Sequence, residues 1–319
     1  MNGDGKTDLV TGCFEGGIYV LDGLGGGRFA EPRRVLDKEG AWLRLGEYWD
    51  DKQRKWTTVA ASTFSGSTFS GEHGISATPV DWDDDGDLDL LLGARSGAVF
   101  VRINEGTTTK PAYATQSQQV QAAGENLRVP GDDAMVITAD WDSDGRWDIL
   151  AGSGEGFVSW FRNVGSAGAP KFAAPEILVP GPGNGRETKG EQQEVATRPG
   201  FRVQIEVGDH NGDGRPDLLV GDYRSVMGKA PDLSPEQTAR RDALRRESEE
   251  LDEKISAQLE KHSEEEEQDW EKLLESDADL KKLCERSGEV RKELAPLEPQ
   301  RSWHGFVWLY LRKPAAPGR

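Results

Sequence analysis

Asp81-Trp82-Asp83-Asp84-Asp85-Gly86-Asp87-Leu88-Asp89 packs six acidic residues into nine positions. The pattern returns without a gap at Asp140-Trp141-Asp142-Ser143-Asp144-Gly145-Arg146-Trp147-Asp148 and at Asp209-His210-Asn211-Gly212-Asp213-Gly214-Arg215-Pro216-Asp217. A fourth copy opens the chain with Asn2, Asp4, Gly5, Lys6 and Asp8. After each copy comes a short apolar run and a glycine: Leu9 to Gly12, Leu90 to Gly93, Ile149 to Gly152 and Leu218 to Gly221. Position 1 of the first copy would precede Met1, so the chain is expected to begin inside a repeat, and any export signal would lie upstream of it.

Oxygen-bearing side chains recur at loop positions 1, 3, 5 and 9. A hard cation such as Ca²⁺ takes about 6 to 8 oxygens at about 2.3–2.6 Å, and alternate residues of a tight loop can converge on one. Glycine at position 6 allows the sharp turn. Position 7, occupied by Lys6, Asp87, Arg146 and Arg215, varies as a residue does when only its carbonyl oxygen is used. The expected Ca²⁺ ligands are thus Asn2, Asp4, Lys6 and Asp8 in a partial site. The three complete sites are Asp81, Asp83, Asp85, Asp87 and Asp89; Asp140, Asp142, Asp144, Arg146 and Asp148; and Asp209, Asn211, Asp213, Arg215 and Asp217. One acidic loop alone is ordinarily a solvated turn. Repetition reverses that reading, because each close carboxylate pair repels by roughly 1–4 kcal/mol and a cation relieves it.

An EF-hand would need Glu at position 12 and flanking helices, but position 12 is Leu92, Ala151 and Val220. The flanks alternate as strands do: Ile75 to Val80, Met135 to Ala139 and Phe201 to Val207 before the loops, and Gly17 to Leu21, Ala98 to Ile103 and Phe157 to Phe161 after them. Turns containing Asn104 or Asn163 follow. Phe29 to Pro32, Pro111 to Ala114 and Pro170 to Ala173 then read as the outer strand, giving four strands per repeat.

Four-stranded units in tandem suit propeller blades better than a sandwich. The pattern resembles the FG-GAP/VCBS repeats found in the N-terminal propellers of integrin α subunits and in many bacterial secreted proteins. The resemblance covers most of residues 1 to 230 and the strand near 305 to 312. It implies an all-β propeller of about four four-stranded blades, with room for a fifth in 37 to 74, and structural Ca²⁺ in the loops. The expected domains are propeller repeats over 1–232, a helical insertion over 233–299, and a returning strand and tail over 300–319.

The insertion opens with Ser234-Pro235-Glu236-Gln237, an N-cap, a first-turn proline and a capping-box glutamine. Leu244, Leu251, Ile255 and Leu259 form one apolar stripe; Trp270, Leu273, Leu280, Ser287 and Leu294 form a second at near-heptad spacing. A single helix of some 60 residues would end roughly 90 Å from its start. Since the segment leaves and re-enters one sheet, an antiparallel two-helix coiled coil turning near His262 to Gln268 is expected. It reads equally as a solvated ornament or as an arm that docks a partner or second protomer.

The 319 residues include 39 glycines and 10 tryptophans, and carry a net charge of −18. Such acidity without a Lys/Arg cluster argues against nucleic acid. No apolar run is long enough to span a bilayer, and Cys13 and Cys284 give no disulfide framework. The four histidines (73, 210, 262 and 304) lack zinc spacing and suggest no triad, so the chain is read as non-enzymatic. Trp82 and Trp141 recur with the loops and are read as packing between repeats, whereas Trp42, Trp49 and Trp56 form a non-periodic cluster better suited to a ligand. The expected function is a secreted, Ca²⁺-binding scaffold for protein or cell-surface interactions, placed in the extracellular space or periplasm. The alternative is a lectin or polysaccharide-active enzyme.

Overall fold

The computed structural model describes residues 1–13, 17–45, 47–50, 55–58, 64–65, 74–182, 198–261 and 270–313. By contacts, the described residues of 1–224 with 305–313 form one compact unit, and 225–304 form another.

The first unit is built of four larger sheets, one per acidic loop, with two-stranded sheets beside them. In the second repeat, Gly74–Val80, Asp89–Ala94, Val99–Arg102 and Ser117–Gln119 lie side by side in chain order. Met135–Ala139, Asp148–Gly152, Val158–Phe161 and Glu176–Val179 do the same in the third. The first repeat contributes Leu9–Gly12, Ile18–Leu21 and Arg33–Arg34. In the fourth, Asp217–Met227 pairs with Phe201–Gly208 on one side and with Val307–Tyr310 on the other. The strands that flank each loop, and the one after them, fall where the alternating flanks place them.

Consecutive sheets pack face on face, which explains why the strand after each loop is a run of apolar residues instead of an alternation. Leu90 and Leu92 join Ile18, Val20 and Val35 of the first repeat. Leu91, one residue out of phase, joins Val136, Ile149 and Phe161 of the third. Leu150 and Val158 pack in turn with Val203, Leu218 and Val220 of the fourth. Both faces of the Asp89–Ala94 and Asp148–Gly152 strands are therefore buried.

The outer strands differ from expectation. They are Arg33–Arg34, Ser117–Gln119 and Glu176–Val179, several residues beyond the Phe29, Pro111 and Pro170 segments. In two of those segments an aromatic ring is drawn inward instead. Tyr113 is buried against first-repeat side chains and Phe172 against second-repeat ones. Their carbonyls accept hydrogen bonds from Lys38 N and Ala123 N at 2.8 Å each, so each segment seals the preceding repeat. Of the segment 37–74, where the sequence leaves room for a fifth blade, residues 46, 51–54, 59–63 and 66–73 lie outside the described residues. The described part holds a hairpin of Glu47–Asp50 with Lys55–Thr58, while Phe64–Ser65 adds in parallel to the second sheet.

In the second unit, α1 (Pro235–Glu260) starts at the expected capping box: Ser234 Oγ accepts from Gln237 N, and Gln237 Oε1 accepts from Ser234 N. The returning helix is broken. α2 (Trp270–Ser276) stops at Asp277, whose carboxylate caps α3 (Ala278–Leu294) by accepting from Asp279 N and Leu280 N. Glu247–Arg286 and Arg240–Glu293 ion pairs fix the antiparallel order of α1 and α3, and Leu244, Leu251 and Val290 form the buried seam. The expected turn at 262–268 lies outside the described residues. Cys13 and Cys284 are free thiols.

The glycine after each apolar run has a physical reason in two repeats. A Cβ on Gly93 would lie 2.0 Å from the Ala134 carbonyl oxygen, and one on Gly152 would lie 2.3 Å from that of Val203. The next repeat's first strand crosses there with no room for a methyl group. At Gly221 the nearest atom is 4.0 Å away. Gly93→Ala and Gly152→Ala are each expected to destabilise by about 1–3 kcal/mol, and Gly221→Ala by less than about 1 kcal/mol, as read from denaturant melts.

Candidate metal centre

Each loop is wound by its own carboxylates. The position-1 side chain accepts from the backbone N–H groups of positions 5 and 6: Asp81 from Asp85 and Gly86, Asp140 from Asp144 and Gly145, Asp209 from Asp213 and Gly214. The position-5 side chain accepts from the N–H of position 7, as Asp4 does from Lys6, Asp85 from Asp87, Asp144 from Arg146 and Asp213 from Arg215. Position 6 is left-handed in every loop, with φ of 78° at Gly5, 91° at Gly86, 85° at Gly145 and 81° at Gly214. Position 4 is left-handed as well: Gly3 and Gly212 adopt it freely, and Asp84 and Ser143 are held at φ 62°. Glycine at position 4 in two of the four copies is the sequence signal for this second turn.

Position 9 does something the ligand reading does not include. One oxygen of Asp89 accepts from Trp82 N at 2.8 Å and the other from Asn104 N at 2.6 Å. Asp148 holds Trp141 N and Asn163 N in the same way, and Asp217 holds His210 N and Arg312 N. Asp8 holds the terminal ammonium of Met1 and Gly23 N. Each of these aspartates ties the start of its loop to the end of the sheet's third strand. Asp89, Asp148 and Asp217 are 0 % exposed.

The loops differ in how far their oxygens converge. Asp81, Asp83 and Asp89 can each offer one oxygen within 4.8 Å of the others, and so can Asp140, Asp142 and Asp144. That spread suits oxygens sharing one Ca²⁺ at about 2.3–2.6 Å. Asp85 stays outside the first group and Asp148 outside the second; the aspartates of the first and fourth loops form no such group among the described residues. Two buried carboxylate oxygens, Asp87 Oδ1 and Asp142 Oδ1, have no hydrogen-bond partner. Leaving such an oxygen bare is unfavourable, so the donor sets of the second and third loops fit a cation.

Position 7 does not vary freely. Arg146 donates through Nη2 to Asp144 and through Nε to the Asn163 carbonyl; Arg215 donates to Asp213 and to the Arg312 carbonyl. Lys6 lies 3.6 Å from Asp4. The side chain of position 7 thus pairs with position 5 in three loops. Arg162, which no periodicity singles out, adds an Nε contact of 2.6 Å to Asp142.

Burial is the main cause that raises the Asp89 carboxyl, to about 6, against the two N–H groups that lower it; the charges of Asp83 and Asp87 add to the rise. Asp148 is raised by burial too, and Asp87 by burial and by Asp85. Asp209 shifts the other way, lowered by hydrogen bonds from Gly214 N and its neighbours.

Trp82 and Trp141 pack against neighbouring repeats. Trp82 lies against Trp147 and Phe172 at centroid distances of 5.2 and 6.0 Å, and Trp141 is buried under Arg312. Trp42 is no open platform: Arg34 and Arg44 stack on its ring at 4.2 and 3.7 Å, and its Nε1 donates to the Ile18 carbonyl. His304 shares a hydrogen bond with Ser302 on an exposed strand.

A family model described as FG-GAP-like repeat matches residues 81–151 and 140–220, so that each match begins at position 1 of an acidic loop. Residues 81–220 are FG-GAP-like repeats. They carry the second, third and fourth loops, and the first loop repeats their position-9 bonds outside the match. No curated protein matches the chain. No helix among the described residues is long and apolar enough to cross a membrane.

Two outcomes test the site. Asp148→Ala strips two buried N–H groups of their acceptor, so it should lower stability by about 2–5 kcal/mol even in chelator, as measured by urea unfolding. Asp89 has a folded pKa above its ordinary 3.8, so its contribution to stability is complete below that value and is lost as pH rises through about 6. A carboxyl NMR titration in chelator should give a midpoint near 6 for Asp89. Saturating Ca²⁺ should move it down, with protons released on binding at that pH.

Proposed function

We propose that this protein, with its FG-GAP-like repeats, is a calcium-stabilised scaffold for protein–protein interaction, acting outside the cytoplasm, with its stacked sheets arranged as propeller blades. The observation that carries the reading is the pair of bare buried oxygens, Asp87 Oδ1 and Asp142 Oδ1, in loops whose other carboxylates converge. Asp81, Asp83, Asp85 and Asp89, with their counterparts in the other loops, would hold the ion. The position-7 carbonyls of Lys6, Asp87, Arg146 and Arg215 complete the set in this proposal. When bound, Ca²⁺ supplies charge neutralisation and oxygen coordination. The chain's own residues wind the loop and tie it to the sheet.

The scaffold reading is non-catalytic because the aspartates are already engaged in backbone bonds that hold the fold. The first strands of successive sheets lie next to one another: Ser76 Oγ and Thr78 Oγ1 donate to the Ala134 and Val136 carbonyls of the next sheet at 2.9 and 2.6 Å. That arrangement supports blades around a common axis. Placement outside the cytoplasm follows from the weak affinity of extracellular calcium modules, which fill where Ca²⁺ is near millimolar.

One observation favours the glycan alternative: the hairpin register sets Trp49 opposite Trp56. An oligosaccharide panel decides it, since reproducible binding lost in Trp49→Ala or Trp56→Ala would replace the protein-scaffold reading with a lectin. For calcium, the melting temperature is expected to rise on adding Ca²⁺ and fall with chelator. At Ca²⁺ about 100 times the dissociation constant each filled loop adds about 2.7 kcal/mol. A melt indifferent to both would sink the calcium reading.

A further inference from the structure

The four loops share one backbone pattern but not one charge. The second loop holds six acidic side chains, and among the described residues no Lys or Arg is ion-paired with any of them. The third loop holds four aspartates, and two guanidinium groups lie on them: Arg146 on Asp144, and Arg162 on Asp142 at 2.6 Å and on Asp144 at 3.5 Å. In the fourth loop, Arg215 pairs with Asp213. In the first, Lys6 lies near Asp4.

Position 7 sets this division. Where the other loops place a cation, the second places Asp87, which is 4 % exposed and whose Oδ1 has no partner. A buried carboxylate that feels the charges of Asp85, Asp83 and Asp81 and is relieved only by a side-chain hydrogen bond with Asn104 marks a place for a positive charge that the chain does not supply. In the third loop the chain supplies that charge itself. A cation arriving there finds Asp142 Oδ1 bare but must crowd guanidinium groups already bonded to Asp142 Oδ2 and Asp144 Oδ2.

We propose that the loops are unequal cation sites: loop 81–89 is the one that requires a divalent cation, with the Asp87 carboxylate joining its ligands, while the other three are partly neutralised from within by Lys6, Arg146, Arg162 and Arg215. The proposal rests on the calcium reading above and specifies where that calcium is decisive.

Position in the fold gives the inequality a consequence. A Cβ on Gly168 would lie 2.6 Å from the Asp83 carbonyl, so the second loop is seated on the Ser166–Ala169 turn of the third repeat. Its neighbour Trp82 packs on Trp147 and Phe172 of that repeat. Occupancy of this one loop therefore controls the seam between the second and third repeats, and calcium depletion loosens that seam first.

The test uses the full chain stripped with chelator and titrated with Tb³⁺, read by tryptophan-sensitised luminescence, and with Ca²⁺, read by calorimetry. One equivalent should bind at least about tenfold more tightly than the rest. Asp83→Asn with Asp85→Asn should abolish it. The near-isosteric Asp87→Asn should weaken it by about tenfold or more, with the far-ultraviolet circular dichroism in chelator unchanged. Arg146→Gln with Arg162→Gln should create a second tight equivalent, as should Arg162→Gln alone to a smaller degree. Equal affinities in the wild-type loops, unchanged binding by Asp87→Asn, or no gain from either arginine variant would overturn the proposal while leaving the calcium reading intact. No cation binding by the wild type would overturn both.

Discussion

The bond on which the FG-GAP sheets depend is the double acceptance at loop position 9. A carboxylate with no exposure gathers one N–H from the start of its loop and one from the end of a strand two connections later, at Asp89, Asp148 and Asp217 alike. Both donors are backbone groups at the ends of strands, where a sheet ladder cannot satisfy them. The carboxylate is short enough to be rigid and charged enough to make both bonds strong. Without it, neither the loop nor the third strand has a fixed position relative to the second.

Around that bond the loop's other carboxylates have two tasks at once. They accept the N–H groups that wind the turn, and they leave oxygens pointing together. The first task needs no metal, which is why the loops are wound by their own hydrogen bonds. The second raises the electrostatic energy of the loop, most of all where burial removes water from Asp87 and Asp89. Loops one, three and four answer it with Lys6, Arg146, Arg162 and Arg215; the second loop has no such answer among the described residues. Position 7 thus carries much of the difference in charge between the second loop and the others, while the glycine turn at position 6 stays the same.

Much of this was legible in the sequence, because the loops recur in register and the strands alternate on either side. The glycine turns at loop position 6, the apolar second strands, the Ser234 capping box and the role of Trp82 all follow from spacing and residue type. What was not legible depends on partners far apart in the chain. Arg162 stands where the second repeat has Ile103, so no repeat signal marks it as the partner of Asp142. The double bond of position 9 joins residues seven before and fifteen after it, a closure that local pattern does not display. Tyr113 and Phe172 look like strand residues, since aromatic residues favour strands, but burial against the preceding repeat decided otherwise. The break at Asp277 was hidden because the apolar heptad spacing runs through it.

Those two aromatic residues also set an order of assembly. Phe172 closes the core of the second repeat from the third, and Tyr113 closes the first from the second. During synthesis from the N-terminus, each repeat therefore emerges with an unfinished face and is completed only when the chain has advanced some way into its successor. The repeats mature one step behind the ribosome, and a pause in translation between two of them leaves an apolar face uncovered for as long as the pause lasts.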